Sequence, residues 1–289
     1  MKPTQNRLWL LFAAITTVFW GVWGALIEAP EKAGFPATLG YTVWALTMVP
    51  CALVALRVIG WKLERDRRSI LLGGAVGLLG AGGQIVLFLA LRSAPAYLVF
   101  PVVSLYPVLT VALSVTLLKE RASRRAWAGI VFALIALPLL SYQAPDSGAA
   151  SGYLWLLGPF AVLVAWGLQA FVMKFSNETM RAESIFFYMM ATALLLIPAA
   201  LWMTDFSQPI NWGWRGPWLA ALIQVLNSIG ALMLVYAVRY GKAIIVVPMT
   251  SLAPVLTIVL SLAIYRVIPN PVLVVGMVLA CIAIYLMAE

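Results

Sequence analysis

Aromatic rings, neutral amides and hydroxyls are the side chains with chemistry to offer in this sequence, and they lie inside long apolar segments. The chain has no histidine and only two cysteines, Cys51 and Cys281, which form no CxxC pair. It therefore lacks the usual near-neutral proton carrier and the usual metal-binding patterns. No acidic or basic residue falls near the middle of an apolar segment, so paired carboxylates are missing there too. We expect no catalytic residue, no metal and no cofactor.

The candidate binding residues are rings and polar groups that an apolar segment would otherwise avoid. An amide facing lipid lacks a hydrogen-bond partner, so it must face protein or a wet cavity. Bonding between helices and binding of a solute satisfy such an amide equally well. Rings supply apolar area and attract an ammonium group. The candidates are Trp20, Trp23, Tyr41, Trp44, Gln84, Ser104, Trp166, Gln169, Tyr188, Asn227 and Ser251.

The composition identifies the segments that must position these residues. The chain has 289 residues, of which 64% are hydrophobic and 10% are charged, and its mean hydropathy is +1.00. Soluble domains are about half apolar and about a quarter charged. A bilayer core of about 30 Å requires roughly 20 helical residues, and apolar stretches of that length recur along the chain. These features predict an all-α integral membrane protein.

Breaks at charges, glycine, proline and asparagine divide the chain into ten predicted transmembrane helices. Lys and Arg number 15 on the N-terminal side of the membrane and 4 on the other side. By the positive-inside rule, the N and C termini are then cytoplasmic. The net charge of +9 is a topology signal rather than a sign of nucleic-acid binding, which would require a basic domain in water. The predicted spans are 8–28, 37–57, 70–91, 96–117, 124–142, 152–174, 183–204, 216–238, 243–265 and 270–288.

The sequence repeats itself at an offset of about half its length. Residues 100–114 read FPVVSLYPVLTVALS and residues 247–261 read VPMTSLAPVLTIVLS, with nine of fifteen positions identical. At an offset of 146, Trp20 maps to Trp166 and Glu28 maps to Lys174. We predict a duplicated five-helix unit, with repeats at 1–143 and 152–289. Because five is odd, the second unit crosses the membrane in the inverted direction, as in many secondary transporters.

The repeated phrase contains two prolines in each half. Each proline lacks the N–H that would bond to the carbonyl four residues back. A serine at 104 and at 251 lies one turn before the second proline, where it can satisfy a freed carbonyl or face a solute. One interpretation is a pair of bent, gating helices beside a central cavity, and the other is ordinary proline kinks. The same proline and serine pattern occurs in both halves, which favours the interpretation as bent, gating helices. The prolines are Pro101, Pro107, Pro248 and Pro254.

The phrase PxxSLxPVLTxxLS, the Trp-Gly of helix 1, the Lys-Glu-Arg at 119–121 and the inverted duplication resemble one known family. This is the drug/metabolite transporter superfamily, and in particular its ten-helix bacterial branch with EamA-type repeats. The resemblance covers essentially the whole chain and implies a multi-pass permease of the cell (inner) membrane. Such proteins export amino acids and other metabolites, or move nucleotide sugars, phosphorylated sugars or organic cations. Val267 stands where the second repeat of this family often has a Glu like Glu120. The SLYP at 104–107 differs from the Asn-Tyr-Leu-Trp-Pro stretch of the aromatic amino-acid exporter subgroup, so the resemblance does not extend to that subgroup.

The residues and the resemblance together predict a secondary transporter that works by alternating access. Its expected substrates are small amphipathic metabolites such as amino acids, moved in the direction of export. The alternative is a carrier of small organic cations, choline-like or drug-like, held in an aromatic cage. A phosphorylated substrate would require a mid-membrane Arg or Lys clamp, which is missing. A membrane-embedded enzyme and a non-transporting subunit are less favoured. The expected partners are a small-molecule substrate and the lipid bilayer, and one chain can enclose a cavity as a monomer.

Overall fold

A computed structural model describes residues 7–94, 96–142, 154–265 and 270–288. Within these ranges every regular element is a helix. A single 3-10 turn precedes the eighth helix and a short π-helical turn precedes the eleventh. The α-helices are α1 (Leu8–Leu26), α2 (Glu28–Lys32), α3 (Ala37–Val58), α4 (Arg67–Ser93), α5 (Ala96–Val103), α6 (Tyr106–Thr116), α7 (Arg124–Leu140), α8 (Leu157–Ser176), α9 (Ala182–Leu195), α10 (Ile197–Trp202), α11 (Leu219–Tyr240), α12 (Ala243–Thr250), α13 (Ala253–Tyr265) and α14 (Pro271–Met287).

Eight helical segments of the described chain are long and apolar enough to cross a membrane. They coincide with eight of the ten predicted spans. The other two predicted spans form the 17-residue helices α7 and α14, which are shorter. The count of ten membrane crossings and the cytoplasmic position of the termini therefore stay predictions. The eight segments are Leu8–Lys32, Ala37–Val58, Arg67–Ser93, Leu98–Thr116, Leu154–Ser176, Ala182–Trp202, Trp214–Tyr240 and Ala243–Leu260.

Short polar side chains mark where three of the helices begin. Asp66 accepts a hydrogen bond from the Ser69 backbone N–H at 3.1 Å and so caps α4. Ser123 caps α7 and Asn270 caps α14 through equivalent bonds. A cap of this kind satisfies one of the N–H groups that the first helical turn leaves without a partner. The bonds from Ser69 also lower the pKa of the Asp66 carboxyl.

The double-proline phrase interrupts its helix in both halves. The chain leaves helical geometry at Ser104 and Leu105, between α5 and α6, and again at 251–252, between α12 and α13. Pro107 and Pro254 each stand at the second position of the new helix, where the missing N–H removes no hydrogen bond. The first proline of each phrase lies inside α5 or α12. Two helices are thus each divided into two segments at matching positions.

Helices of the two repeats pack in corresponding ways. In the repeat, α1, α3, α4, α6 and α7 correspond in that order to α8, α9, α11, α13 and α14. Helix α1 packs on α11 and α13, and its counterpart α8 packs on α4 and α6. Helix α3 packs on α11, and its counterpart α9 packs on α4. Two further contacts, α3 with α9 and α7 with α14, join a helix to its own counterpart, and α6 contacts α12, the segment that precedes its counterpart α13. A two-fold relation between two halves would produce this pattern, whereas the boundaries 1–143 and 152–289 stay a prediction.

Candidate solute-binding site

Trp20 and Trp166 make the same contact in the two halves. The Nε1 of Trp20 donates to the backbone oxygen of Asn227 at 3.4 Å, and the Nε1 of Trp166 donates to that of Gly80 at 3.2 Å. Gly80 is the repeat counterpart of Asn227 at an offset of 147. Both rings are half-buried. Each tryptophan of one half is therefore anchored on the long helix of the other half.

Close approach of backbone and ring requires glycine at two matched positions. A Cβ added to Gly230 would lie 2.6 Å from Cδ1 and Nε1 of Trp20. A Cβ added to Gly83 would lie 2.5 Å from Nε1 of Trp166. Such distances are shorter than any normal contact, so a larger residue would displace the ring. The glycines thus determine where both rings lie between the halves.

Tyr106 joins the two interrupted helices, and sequence reasoning did not select it. Its hydroxyl lies 2.7 Å from the Oγ of Ser251, at the break between α12 and α13. Its ring meets Trp166 edge-on, with ring centroids 5.9 Å apart. Its repeat counterpart is Ala253, so SLYP and SLAP differ at this one position. The sequence signal that could have identified Tyr106 is an aromatic residue at the one position where SLYP and SLAP differ.

The two candidate serines both bond to the preceding helical turn. The Oγ of Ser104 donates to the Pro101 carbonyl at 2.8 Å, and the Oγ of Ser251 donates to the Val247 carbonyl at 2.7 Å. A serine hydroxyl has one proton, so in the Tyr106–Ser251 pair the tyrosine must be the donor. Each serine thus keeps lone pairs while its own proton is engaged.

Two threonines of the repeated phrase were also missed. The Oγ1 of Thr110 donates to the carbonyl of Gly167 at 2.9 Å, and the Oγ1 of Thr257 donates to that of Gly21 at 3.0 Å. These residues are repeat counterparts, and so are their acceptors. The bonds fasten each divided helix to the tryptophan-bearing helix of the other half. The sequence signal that could have identified both threonines is that PVLT occurs at the same place in each repeat.

Three candidate amides make no side-chain hydrogen bond to another described residue. They are half-buried and retain their donors and acceptors for a solute or water. The side chain of Gln169 covers Gly80, where an added Cβ would overlap its amide nitrogen. A polar group of a bound solute could form a hydrogen bond with each of them. These amides are Gln84, Gln169 and Asn227.

Trp23 lies beside an amide that the protein already uses. Its Nε1 donates to the Oε1 of Gln224 at 3.0 Å, and the Nε2 of Gln224 donates to the Gly40 carbonyl at 3.4 Å. Gln224 is buried, with 5% of its surface exposed. The indole N–H of Trp23 is therefore engaged in a link between α1, α11 and α3, and its half-buried ring is what it can offer a solute.

Tyr41 and Trp44 occupy one face of α3. The hydroxyl of Tyr41 donates to the Ala193 carbonyl at 3.1 Å, and its ring meets Trp44 edge-on with centroids 5.3 Å apart. Tyr41 is only 2% exposed, which makes it part of the packing between α3 and α9. The Nε1 of Trp44, by contrast, is buried and has no hydrogen-bond partner. Of the pair, Trp44 has the unused donor.

Tyr188 is not brought to the tryptophans. Its hydroxyl donates to the Glu64 carbonyl at 2.7 Å, in the connection before α4. Its ring covers Gly73, where an added Cβ would lie 2.5 Å from Cδ2. Gly73 lies about 15 Å along α4 from Gly83, the contact of Trp166, at about 1.5 Å per residue. The contacts of Tyr188 thus lie near the start of α4.

The site is electrically neutral in the part of the chain that the structure describes. The hydrogen bonds of the aromatic residues go to backbone carbonyls, to a hydroxyl and to the Gln224 amide, and the ion pairs of the described chain lie elsewhere. No group of three His, Cys, Asp or Glu side chains there could hold a metal ion. Such a surface can enclose rings or methylene groups, attract an ammonium group and donate neutral hydrogen bonds.

These features describe a multi-pass helical membrane protein with a neutral candidate site. The EamA-like transporter family matches residues 7–142 and, a second time, residues 150–288. The chain therefore belongs to the EamA-like transporter family, within the drug/metabolite transporter superfamily. The family indicates a small-molecule transporter rather than an enzyme.

The chain is also similar to a curated relative and to a solved structure. Protein LicB of Haemophilus influenzae is 23% identical over 209 residues, which cover 69% of this chain and 70% of LicB. A solved crystal structure of a protein superimposes with a TM-score of 0.76 at 20% identity, covering 99% of this chain and 96% of its own. At that identity the superposition shows the fold alone.

Proposed function

We propose that this protein is a secondary transporter that carries small amphipathic metabolites, such as amino acids, by alternating access. The halves 1–143 and 152–289 rock about the site between them, and the broken helices with Pro101, Pro107, Pro248 and Pro254 yield. The observation that carries the proposal is the matched anchoring of Trp20 and Trp166 beside two interrupted helices. Many secondary transporters that work by alternating access are built from two opposed, equivalent halves around one site.

The chemistry of the site favours a solute with both apolar and polar ends. The rings of Trp20, Trp166 and Tyr106 provide an apolar surface that also attracts an ammonium group. Amide donors on Gln84, Gln169 and Asn227 suit a carboxylate without a fixed positive charge. A free amino acid combines these requirements.

A small organic cation is the second candidate. The edge-to-face pair of Tyr106 and Trp166 is the start of an aromatic cage. The site contacts of the described residues include no fixed positive charge. Such a charge would favour a carboxylate and repel a cation, so a neutral site also accepts a cation. Export from a bacterial cytoplasm across the cell (inner) membrane completes the proposal on the basis of the family resemblance. The monomer is proposed because one chain of ten predicted helices can enclose its own cavity.

The test is ligand-dependent stability combined with counterflow. The purified protein is melted against amino acids, choline-like cations, sugars and nucleotide sugars, and each ligand that stabilises it is tested for counterflow in liposomes. A ligand at a hundredfold excess over its Kd raises the stability by about 2.7 kcal/mol. We expect an amino acid to do so, and Trp166→Ala to abolish both signals. Trp202→Ala, at a ring that is 84% exposed, is the matched control and should leave them unchanged.

Two outcomes would contradict the proposal. Stabilisation by a phosphorylated sugar alone would refute the neutral-site argument and move attention to Arg92, Lys174 and Arg239. Normal counterflow in Trp166→Ala would remove that ring from the site.

A further inference from the structure

A carboxylate of the first half caps a helix of the second half. The Oε1 of Glu120 accepts a hydrogen bond from the N–H of Ala243 at 3.1 Å, and its Oε2 accepts one from Ile244 at 3.0 Å. These are the first two residues of α12, whose first-turn N–H groups have no acceptor within the helix. The negative charge also lies at the positive end of the helix dipole. Glu120 therefore holds the start of α12 from outside it.

A lysine holds the end of the preceding helix in the complementary way. The Nζ of Lys174 donates to the carbonyls of Val238 at 3.1 Å and Gly241 at 2.7 Å, at the end of α11. The Nζ also lies 3.8 Å from the Oε1 of Glu120, with side-chain exposures of only 17% and 9%. The turn between α11 and α12 is thus held by two buried, opposite charges, each at the helix end whose dipole it complements. We name this set, Glu120, Lys174 and the turn 238–244, the α11–α12 clamp.

The opposite end of the protein has no equivalent of this clamp in its sequence. The repeat counterpart of Glu120 is Val267, a residue outside the described ranges whose side chain carries no charge. The counterpart of Lys174 is Glu28, which pairs at 2.6 Å with Lys32 one turn along the chain. The Glu28 side chain is 63% exposed. The two ends therefore differ in charge although the halves pack alike.

We propose that the α11–α12 clamp is the latch that keeps the solute pathway closed at its predicted cytoplasmic end. This inference rests on the proposed transport function and describes the regulation of the same site. Rocking of the two halves at this end separates α6 from α8 and from the α11–α12 turn, while Lys174 keeps its bonds to Val238 and Gly241 inside the second half. The Glu120 cap and the ion pair are then lost together. The resting conformation is the one closed at this end.

A buried serine reports the opening directly. Ser114 lies on α6, is 0% exposed and has no partner for its Oγ, and its carbonyl accepts the Glu120 N–H at 3.1 Å. In a Cys51→Ala, Cys281→Ala background, Ser114→Cys is labelled with a maleimide in liposomes without any solute. We expect Glu120→Gln and Lys174→Met to raise the labelling rate about tenfold or more, since charged hydrogen bonds are the stronger class. Glu28→Gln is the matched control and should leave the rate unchanged.

A charge exchange separates the caps from the ion pair. The double variant Glu120→Lys, Lys174→Glu restores an ion pair, but it sets an ammonium against N–H groups and a carboxylate against carbonyls. We expect labelling to stay fast, and hydrogen exchange at the amides of Ala243 and Ile244 to be accelerated. Slow labelling in this variant would overturn the capping argument. Wild-type labelling rates in both single variants, with melting temperatures showing folded protein, would overturn the latch.

The labelling assay contains no solute, so the latch and the proposed function fail separately. Fast labelling of the single variants in a protein without counterflow of any ligand would support the latch and refute the transporter proposal. Counterflow by the wild type together with unchanged labelling of the single variants would support the transporter proposal and refute the latch.

Discussion

Substitution of Tyr106 tests the site most directly, because two variants remove its two contacts in turn. Tyr106→Phe removes the O–H donor to Ser251 and keeps the edge-on ring contact with Trp166. Ser251 still donates to the Val247 carbonyl, so no donor is left without an acceptor. We expect the loss of one neutral hydrogen bond, about 1 kcal/mol of unfolding free energy, and transport reduced about fivefold at most.

Tyr106→Ala removes the ring as well and makes the position identical to its counterpart Ala253. The lost aromatic pair with Trp166 is worth about 0.5–1.5 kcal/mol beyond its buried area. A cavity also forms beside Trp166, and truncations of this size commonly cost about 3–5 kcal/mol when fully buried. Because Tyr106 is half-buried, we expect less than that in stability and a loss of transport of about tenfold or more.

Counterflow of the stabilising ligand and thermal melting measure the two quantities side by side. Tyr285→Phe is the control, because this tyrosine is 70% exposed and its ring contact with Arg125 survives the change. Should Tyr106→Ala transport at the wild-type rate while its melting temperature falls, the ring has a structural role alone. Should Tyr106→Phe lose as much transport as Tyr106→Ala, the hydroxyl and not the ring contacts the solute.

Three further predictions concern packing, an unused donor and acid stability. Gly21→Ala places a Cβ about 2.5 Å from a side chain of α13, so we expect the free energy of unfolding, measured by thermal melting, to fall by about 1–3 kcal/mol. Gly74→Ala adds a Cβ with nothing within 4 Å, so we expect this variant to be more stable than the wild type. Trp44→Phe removes an N–H that has no partner, so the melting temperature without ligand should not fall while the ligand-induced shift shrinks. The lowered pKa of Asp66 means that its capping contribution is complete above about pH 4 and is lost as the pH falls through the folded value. Asp66→Ala should therefore make the melting temperature less sensitive to acid below about pH 4.

The sequence was sufficient for features that depend on local composition and repetition. The family is confirmed by two matches along the chain, and eight predicted spans are confirmed as helical segments of sufficient length. The double-proline phrase also indicated where the predicted spans 96–117 and 243–265 leave helical geometry, because a proline cannot continue a helix from the turn before it. The count of ten crossings, the cytoplasmic termini and the site roles of the candidate residues stay predictions.

Contacts across the halves could not be read from one sequence. Tyr106 gains its role from Ser251 and Trp166, which lie far away along the chain and near only after the halves pack. Tyr188 has the ring and hydroxyl of a binding residue, yet its partner is the Glu64 backbone near the start of α4. Glu120 was noticed as part of a Lys-Glu-Arg motif, whereas its acceptor role on α12 required the structure.

Repeat counterparts that are identical in the two halves contribute differently from counterparts that are different residues. The bonds of Trp20 and Trp166, and those of Thr110 and Thr257, are copies of one another, so they build a scaffold that both halves need. A fully symmetric site would bind a solute equally in two opposed orientations and would have no preferred resting end. On the proposed function, we expect selectivity and a resting state to arise where counterparts differ, beside the candidate site or at the two opposite ends of the protein. These pairs are Tyr106 with Ala253, Gln169 with Trp23, Asn227 with Gly80, and Lys174 with Glu28.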